Sequence, residues 1–354
     1  MPEPPPACGI RDRRTAVISA VDTSLPDDVL AFLDETVSRR GRGHWLWKYG
    51  RGSTAAPTAY YWSDGDGRVL GFIGLMRTDL HAGGAVHPAA WFVDWYVAPG
   101  QPGIGVGLLR KAESSAGILL TLQGSADTRQ ILPRLGWKVC DTPVTWLRPL
   151  SRRFIGDWLA RQVPSALAPL VRAAAPLVAP FLRRRAVATP SGAELVAVER
   201  FPASYDRIAA VRSAEMGAMR RDSDYLNWLC ADHPDGGFRL WLLRRHGEDV
   251  GHLVTRCDRD RQGRRRGRIV DAAWPNTDDA LGGWLLDQAV AALSAAEADY
   301  VECLTSRPAW RTLLSRAAFR QRAAVPLWYR RVPDNVPAPG DWHITLLDCD
   351  RAYR

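Results

Sequence analysis

The chain has 354 residues, too many for one ordinary hydrophobic core, and its 46% hydrophobic and 24% charged residues are those of a soluble globular protein with two domains. It contains no uninterrupted apolar run of roughly 18 residues or more, so no membrane-spanning helix is expected. The net charge of +9 is carried almost wholly by arginine, with lysine only at positions 48, 111 and 138, a compositional skew rather than a nucleic-acid surface, and no nucleic-acid partner is expected.

The chain opens on "MPEPPPACGIRDRR", with prolines where a signal peptide would need an apolar core; residues 1–12 read as a short tail on a cytoplasmic protein. A first domain is expected over 13–150. It starts with a helical stretch, "DDVLAFLDETVSRR" (27–40), followed by the strands "TAYYWS" and "RVLGFIGLM", joined by the hairpin signal "DGDG". Then come a strand ending in "VDWYV", a helix "GVGLLRKAESSA", a strand "GILLTLQ" and a helix "ADTRQILPRLG" closed by Pro133 and Gly136. A last strand, "VTWLRPL", completes a mixed α/β layout with a mostly antiparallel sheet.

Residues 151–190 read as a helical linker, its apolar residues spaced at three or four and interrupted by prolines at 164, 169, 176 and 180. Arginines at both ends raise a second reading for 151–187, a peripheral contact with an anionic membrane surface. A second domain is expected over 191–335, because it repeats the first. "RVLGFIG" has a counterpart in "EDVGHLV", Asp94 and Asp271 lie 177 residues apart, and Leu108-Leu109 match Leu285-Leu286 at the same offset. Trp47 matches Trp228, and "LGWKV" matches "AAFRQ". Blocks that recur in one order mark two copies of one fold. Residues 336–354 read as a C-terminal tail.

Six cysteines stand far apart, without C-x-x-C spacing or a neighbouring histidine cluster, so neither a disulfide framework nor a metal site is expected. The basic run "RDRQGRRRGR" (259–268) lies between two strand-like runs and reads as a solvated hairpin loop.

The most informative stretch is "VDWYVAPGQPGIGVGLLRKAE" (93–113). A strand feeding a helix through glycines sets the first helical N–H groups, which have no partner inside the helix, at the end of a sheet. The helix dipole adds partial positive charge there, and bare glycines let an anion such as a pyrophosphate approach the backbone. A Rossmann site would need G-x-G-x-x-G and an acidic residue on the next strand, and a Walker loop would need G-K-[ST]; neither is present.

The arrangement resembles the GNAT superfamily of CoA-dependent N-acyltransferases, whose central motif runs V-x-P-x-x-[RQ]-G-x-G-x-[GA]-x-x-L. Val97, Pro99, Gly103, Gly105, Gly107 and, one step early, Leu109 match it, while Pro102 stands where the motif has Arg or Gln. The later "DTRQILPRLGWK" is similar to the family's last helix. The whole chain resembles tandem bacterial members. The resemblance implies two GNAT-like domains, with acetyl-CoA or another acyl-CoA held in the first. Backbone groups of Trp95, Tyr96 and Val97 would meet the pantetheine arm, and those of Gly103, Ile104, Gly105, Val106, Gly107 and Leu108 the pyrophosphate. In the second copy the same turn reads "PNTDDALGG", where Asp278 and Asp279 would repel phosphate.

The acceptor so implied is a small amine. Asp94 is the candidate general base, with a carboxylate that caps or pairs with an arginine between the domains as its structural reading. His44, His81 and His87 lie in segments that border an acceptor cleft, and Trp45 is a candidate stacking surface, while Trp47 reads as core. The tyrosine that the family often carries in its last helix falls on Leu132, which leaves the general acid open. Asp348 and Asp350 read as part of a charged, frayed end. Two alternatives stay open: an aminoacyl-tRNA-dependent transferase of related duplicated fold, and a non-catalytic binding protein.

Overall fold

The computed structural model describes residues 17–21, 24–50, 56–178 and 187–353. The tail expected over 1–12 and Pro180 of the linker lie outside the described residues. The chain divides into two compact units, Met1–Met76 with Phe92–Ser115, and Arg77–Trp91 with Ala116–Arg354.

The first unit contains β1 (Val17–Val21), α1 (Asp27–Thr36), α2 (Arg42–Tyr49) and β2 (Ala59–Ser63). It also holds the start of β3 (Val69–Ala82), the end of β4 (Ala85–Val97) and α3 (Ile104–Ser114). Helix α1 buries Val29, Leu30 and Leu33 on one face and places Asp27 and Asp28 at its electropositive start. The hairpin between β2 and β3 is the expected "DGDG": the Asp64 carboxylate accepts the backbone N–H groups of Asp66 (3.1 Å) and Arg68 (2.9 Å), and Gly67 takes φ +82°.

The second unit continues with β5 (Ile118–Leu122), α4 (Ala126–Arg134), β6 (Lys138–Cys140), β7 (Val144–Pro149), α5 (Arg152–Ala160) and α6 (Ala168–Val178). Next come β8 (Ala193–Val198), α7 (Asp206–Met216), β9 (Ala218–Met219), and α8 (Ser223–Leu226) running into a π-helical turn, Asn227–Ala231. The chain then forms β10 (Phe238–Arg245), β11 (Glu248–Arg259), β12 (Arg265–Ala273), α9 (Asp279–Ala295), β13 (Tyr300–Thr305), α10 (Pro308–Arg316), β14 (Arg320–Ala324) and β15 (Leu327–Arg330).

Two sheets result. One runs β1-β2-β3-β4-β5-β15-β6, with β9 paired to β3; the other runs β8-β10-β11-β12-β13-β7-β14. The orders are the same, position by position, and in each the parallel pair joins the fourth and fifth strands, β4 with β5 and β12 with β13. The internal repeat read from the sequence is thus a repeat of topology.

One feature departs from that reading. The sixth strand of each sheet comes from the other copy. β7 pairs with β13 from Val144↔Thr305 to Pro149↔Tyr300, and β15 pairs with β5 from Leu327↔Leu122 to Arg330↔Leu119. Val144 and Trp146 of β7 are buried among Leu253, Ile269, Leu285, Val301 and Phe319. "VTWLRPL" and "PLWYRR" present equivalent alternating faces, so either can fill either slot, and strand periodicity does not name the partner.

The described part of the linker forms α5, a 3-10 turn (Ser165–Leu167) directly after Pro164, and α6. Pro169 sits in the first turn of α6, where a missing N–H removes no helical bond. Leu167 and Leu170 are exposed there. Among the described residues no helix is long and apolar enough to cross a membrane. Four arginines of the β11–β12 hairpin are ion-paired locally: Arg264 with Asp260, Arg265 with Glu297, and Arg266 and Arg268 with Asp258.

The expected frayed end is instead core. Trp342, Ile344, Leu346 and Leu347 are buried, and the N–H groups of His343 and Leu347 bond to Gly217 O (3.0 Å) and Val270 O (3.1 Å). Asp348 and Asp350 are buried with them. The apolar residues alternate with polar ones that bond inward, which is why the segment looked like a tail.

Candidate functional site

After β4 the chain is fastened by the Ala98 N–H to Leu70 O (2.8 Å) and turns through Gly100 and Gly103, both with positive φ. Gly103 caps α3 at φ +87°, with no side-chain cap and no acid in the first turn. The first helical bond is Gly107 N–H to Gly103 O (3.0 Å), so the N–H groups of Ile104, Gly105 and Val106 stand outside the helical ladder. No atom lies within 4 Å of where a Gly103 side chain would point. Uncapped backbone donors at a helix start carry partial positive charge, the kind of end that suits an anion.

The three alternating glycines have different tasks. Gly103 supplies the left-handed turn and the open space. A side chain at Gly105 would press on Val97 (3.2 Å) and on the Trp95 indole (3.3 Å), whose Nε1–H donates to Gly105 O at 3.1 Å. At Gly107 it would meet the Trp62 ring at 2.5 Å. Gly71 on β3 lets Ile104 and Leu108 seat against the sheet, at 2.9 and 3.0 Å from its missing side chain. Leu108 is fully buried, whereas Tyr96 and Val106 are exposed beside the cradle.

The second repeat has the same strand–turn–helix with the space filled. Asp278 caps α9 by accepting the Leu281 N–H (2.9 Å), and Arg245 pairs with that carboxylate. At the offset that relates Asp94 to Asp271, Trp274 stands for Val97 and Gly282 for Gly105. The Trp274 indole lies 2.3 Å from where a Gly282 side chain would begin, and stacks on Trp310 at 4.7 Å between centroids.

Asp94 is buried and takes φ +49°. Its Oδ2 accepts from Lys48 Nζ at 2.5 Å and from the Tyr49 hydroxyl at 2.6 Å. The partner of this carboxylate is a lysine of α2 within the same unit, not the arginine between the domains that its structural reading expected. Asp271 is likewise buried, accepting from Arg221 Nε at 2.6 Å and lying 3.0 Å from His252 Nε2. Burial opposes its ionisation, yet the Arg221 guanidinium and the His252 and His343 rings hold its carboxyl well below the usual carboxylate range. Arg221 also binds Asp348 at 2.7 Å, so the C-terminal segment completes this network.

The other candidates scatter. His44 is buried against Trp45 and Trp47, His81 is half-buried with burial lowering its pKa, and His87 Nε2 lies 3.3 Å from Ala82 O. Trp45, taken as a stacking surface, is 1% exposed and donates its Nε1–H to Asp34 at 2.7 Å; it is a core residue, and Trp47 is the half-buried one of the two. Leu132 is fully buried in α4 and offers no proton donor. Sequence reasoning missed Lys48, Tyr49, Trp62 and Trp274. The scarcity of lysine was a signal for the first, since one of only three lysines lies in α2 and is buried.

No family model and no curated protein matches the sequence. Solved structures do match in fold. A GCN5-related N-acetyltransferase from Anabaena variabilis superposes with a TM-score of 0.59 at 14% identity, over 90% of this chain and 73% of that one. A GCN5-related N-acetyltransferase from Kribbella flavida gives 0.53 at 14% identity, over 89% and 72%. Saccharomyces cerevisiae N-myristoyltransferase with bound myristoyl-CoA gives 0.58 at 10% identity, over 94% and 87%. The chain therefore has the GNAT fold over about 90% of its length, as the motif resemblance implied.

Proposed function

We propose that the chain is an acyl-CoA-dependent N-acyltransferase, with acetyl-CoA or another acyl-CoA bound in the first repeat and a small amine, such as an amino sugar or a biosynthetic intermediate, as acceptor. The observation that carries this reading is the start of α3: an uncapped, acid-free helix N-terminus behind Gly103, open to solvent. The N–H groups of Ile104, Gly105 and Val106 would hold a pyrophosphate, and the backbone from Trp95 to Val97 would orient the pantetheine arm. Bound acyl-CoA supplies an activated thioester. A backbone N–H near Val97 polarises a carbonyl placed there. The fold likeness to N-acyltransferases, one of them holding myristoyl-CoA, supports the donor class.

Asp94 fits the role of base poorly, because it is buried and its Oδ2 already accepts from Lys48 Nζ and the Tyr49 hydroxyl. The test is thermal stabilisation by acetyl-CoA and longer acyl-CoAs. Wild type should be stabilised, and Gly105→Asp should melt cooperatively without that stabilisation. A wild type indifferent to every acyl-CoA, or a variant that responds equally, sinks the reading.

A further inference from the structure

We infer that Lys48, Asp94 and Tyr49 form a clamp that aims the Trp95–Val97 segment, so that Asp94 is a positioning residue for the donor and not a proton acceptor. This rests on the reading of the first repeat as the donor site.

The backbone is the first observation. Asp94 is a non-glycine residue at φ +49°, a left-handed conformation that persists only where its surroundings enforce it. It immediately precedes the three residues whose main chain faces the cradle. A return of Asp94 to extended geometry would re-aim all three, together with the Trp95 indole that bonds Gly105 O.

The enforcement is the second. One carboxylate oxygen is gripped by two neighbouring residues at the end of α2, Lys48 Nζ at 2.5 Å and Tyr49 Oη at 2.6 Å, with all three side chains buried. Tyr49 reaches that point only because residue 74 is glycine: a side chain there would begin 2.1 Å from the phenol oxygen. Tyr49 in turn lies parallel to Trp45, whose indole is bonded to Asp34 of α1, so the clamp is anchored through two helices.

The internal repeat supplies the third. Asp271 is also buried and paired, through Arg221, yet among the described residues it is absent from those with positive φ, and the helix start beside it is capped and filled. The left-handed aspartate occurs in the repeat whose cradle is open.

The variants are Y49F, K48M and G74A, with the uncharged pair K48M/D94N as a folding control that leaves no buried ion. Acetyl-CoA binding is measured by calorimetry, and steady-state kinetics by thiol release with a responsive amine. The clamp predicts a rise of about tenfold or more in the Kd and KM for acetyl-CoA, with kcat at saturating donor and the shape of the pH–rate profile kept. D94N should behave like K48M. A D94N enzyme that binds acetyl-CoA as tightly as wild type but loses kcat about 100-fold or more, with its pH profile flattened, makes Asp94 the base and overturns the clamp. Wild-type affinity in Y49F and G74A, both folded, overturns it as well. A wild-type protein that binds no acyl-CoA sinks the donor site itself, a result distinct from either.

Discussion

The starts of α3 and α9 are the same device in two conditions. Each follows the fourth strand of its sheet, and each lies next to a buried, ion-paired aspartate. At α3 a left-handed glycine leaves the first three helical N–H groups without a side-chain cap; at α9 Asp278 accepts the Leu281 N–H, Arg245 neutralises the cap, and Trp274 occupies the room beside Gly282. A glycine turn is thus not in itself a binding signal. Three side chains separate the two helix starts: at α9 Asp278, Arg245 and Trp274 cap and fill what α3 leaves uncapped.

The comparison breaks most visibly at Trp274. Replacing it with alanine should destabilise the protein by about 3–5 kcal/mol in chemical denaturation, because the cavity between Gly282 and Trp310 cannot close. Acetyl-CoA affinity should be untouched in that variant. The emphasis reverses for Gly105→Asp, where a carboxylate against a pyrophosphate should weaken acetyl-CoA binding by about 100-fold in calorimetry, while the pressure on Val97 and the Trp95 indole lowers melting less than Trp274→Ala does. Asp278→Ala removes a helix cap and should cost about 1 kcal/mol without creating a second nucleotide site; two acetyl-CoA molecules per chain in native mass spectrometry would refute this account of α9.

The smallest effect concerns pH. Burial keeps the His343 ring neutral, below its ordinary 6.5, despite Asp271 at 3.7 Å. The unfolded chain therefore takes up this proton first as pH falls, and the stability contributed by a neutral His343 is complete above about 6.5 and lost below it. Asp271, also depressed, adds to the loss only in stronger acid. His343→Gln should shallow the decline of stability between about pH 6.5 and 5 by at most one proton.

Much of this was legible in the residues. The order of elements, the repeat, the Asp94–Asp271 correspondence and the glycine turn that starts α3 follow from periodicity and glycine placement, which are local properties. What was not legible depends on distant partners. The grip on Asp94 comes from residues 45 and 46 positions upstream, in a helix whose apolar and polar residues do not announce it. The distinction between Gly103, which faces space, and Gly107, which faces Trp62, exists only once β2 is packed. Trp342 to Asp350 looked like a tail because their acids signal solvent, whereas Asp348 points at Arg221, 127 residues away in sequence.

The traded strands have a consequence for synthesis. The sheet that begins at residue 17 receives β15, residues 327–330, between β5 and β6. During translation its slot stays empty until residues 327–330 have been made, leaving the edges of β5 and β6 unpaired in the meantime. At about 5–20 residues per second that interval is on the order of ten seconds or more. Contacts of such sequence separation make folding slow, and unpaired strand edges are templates for association with other chains.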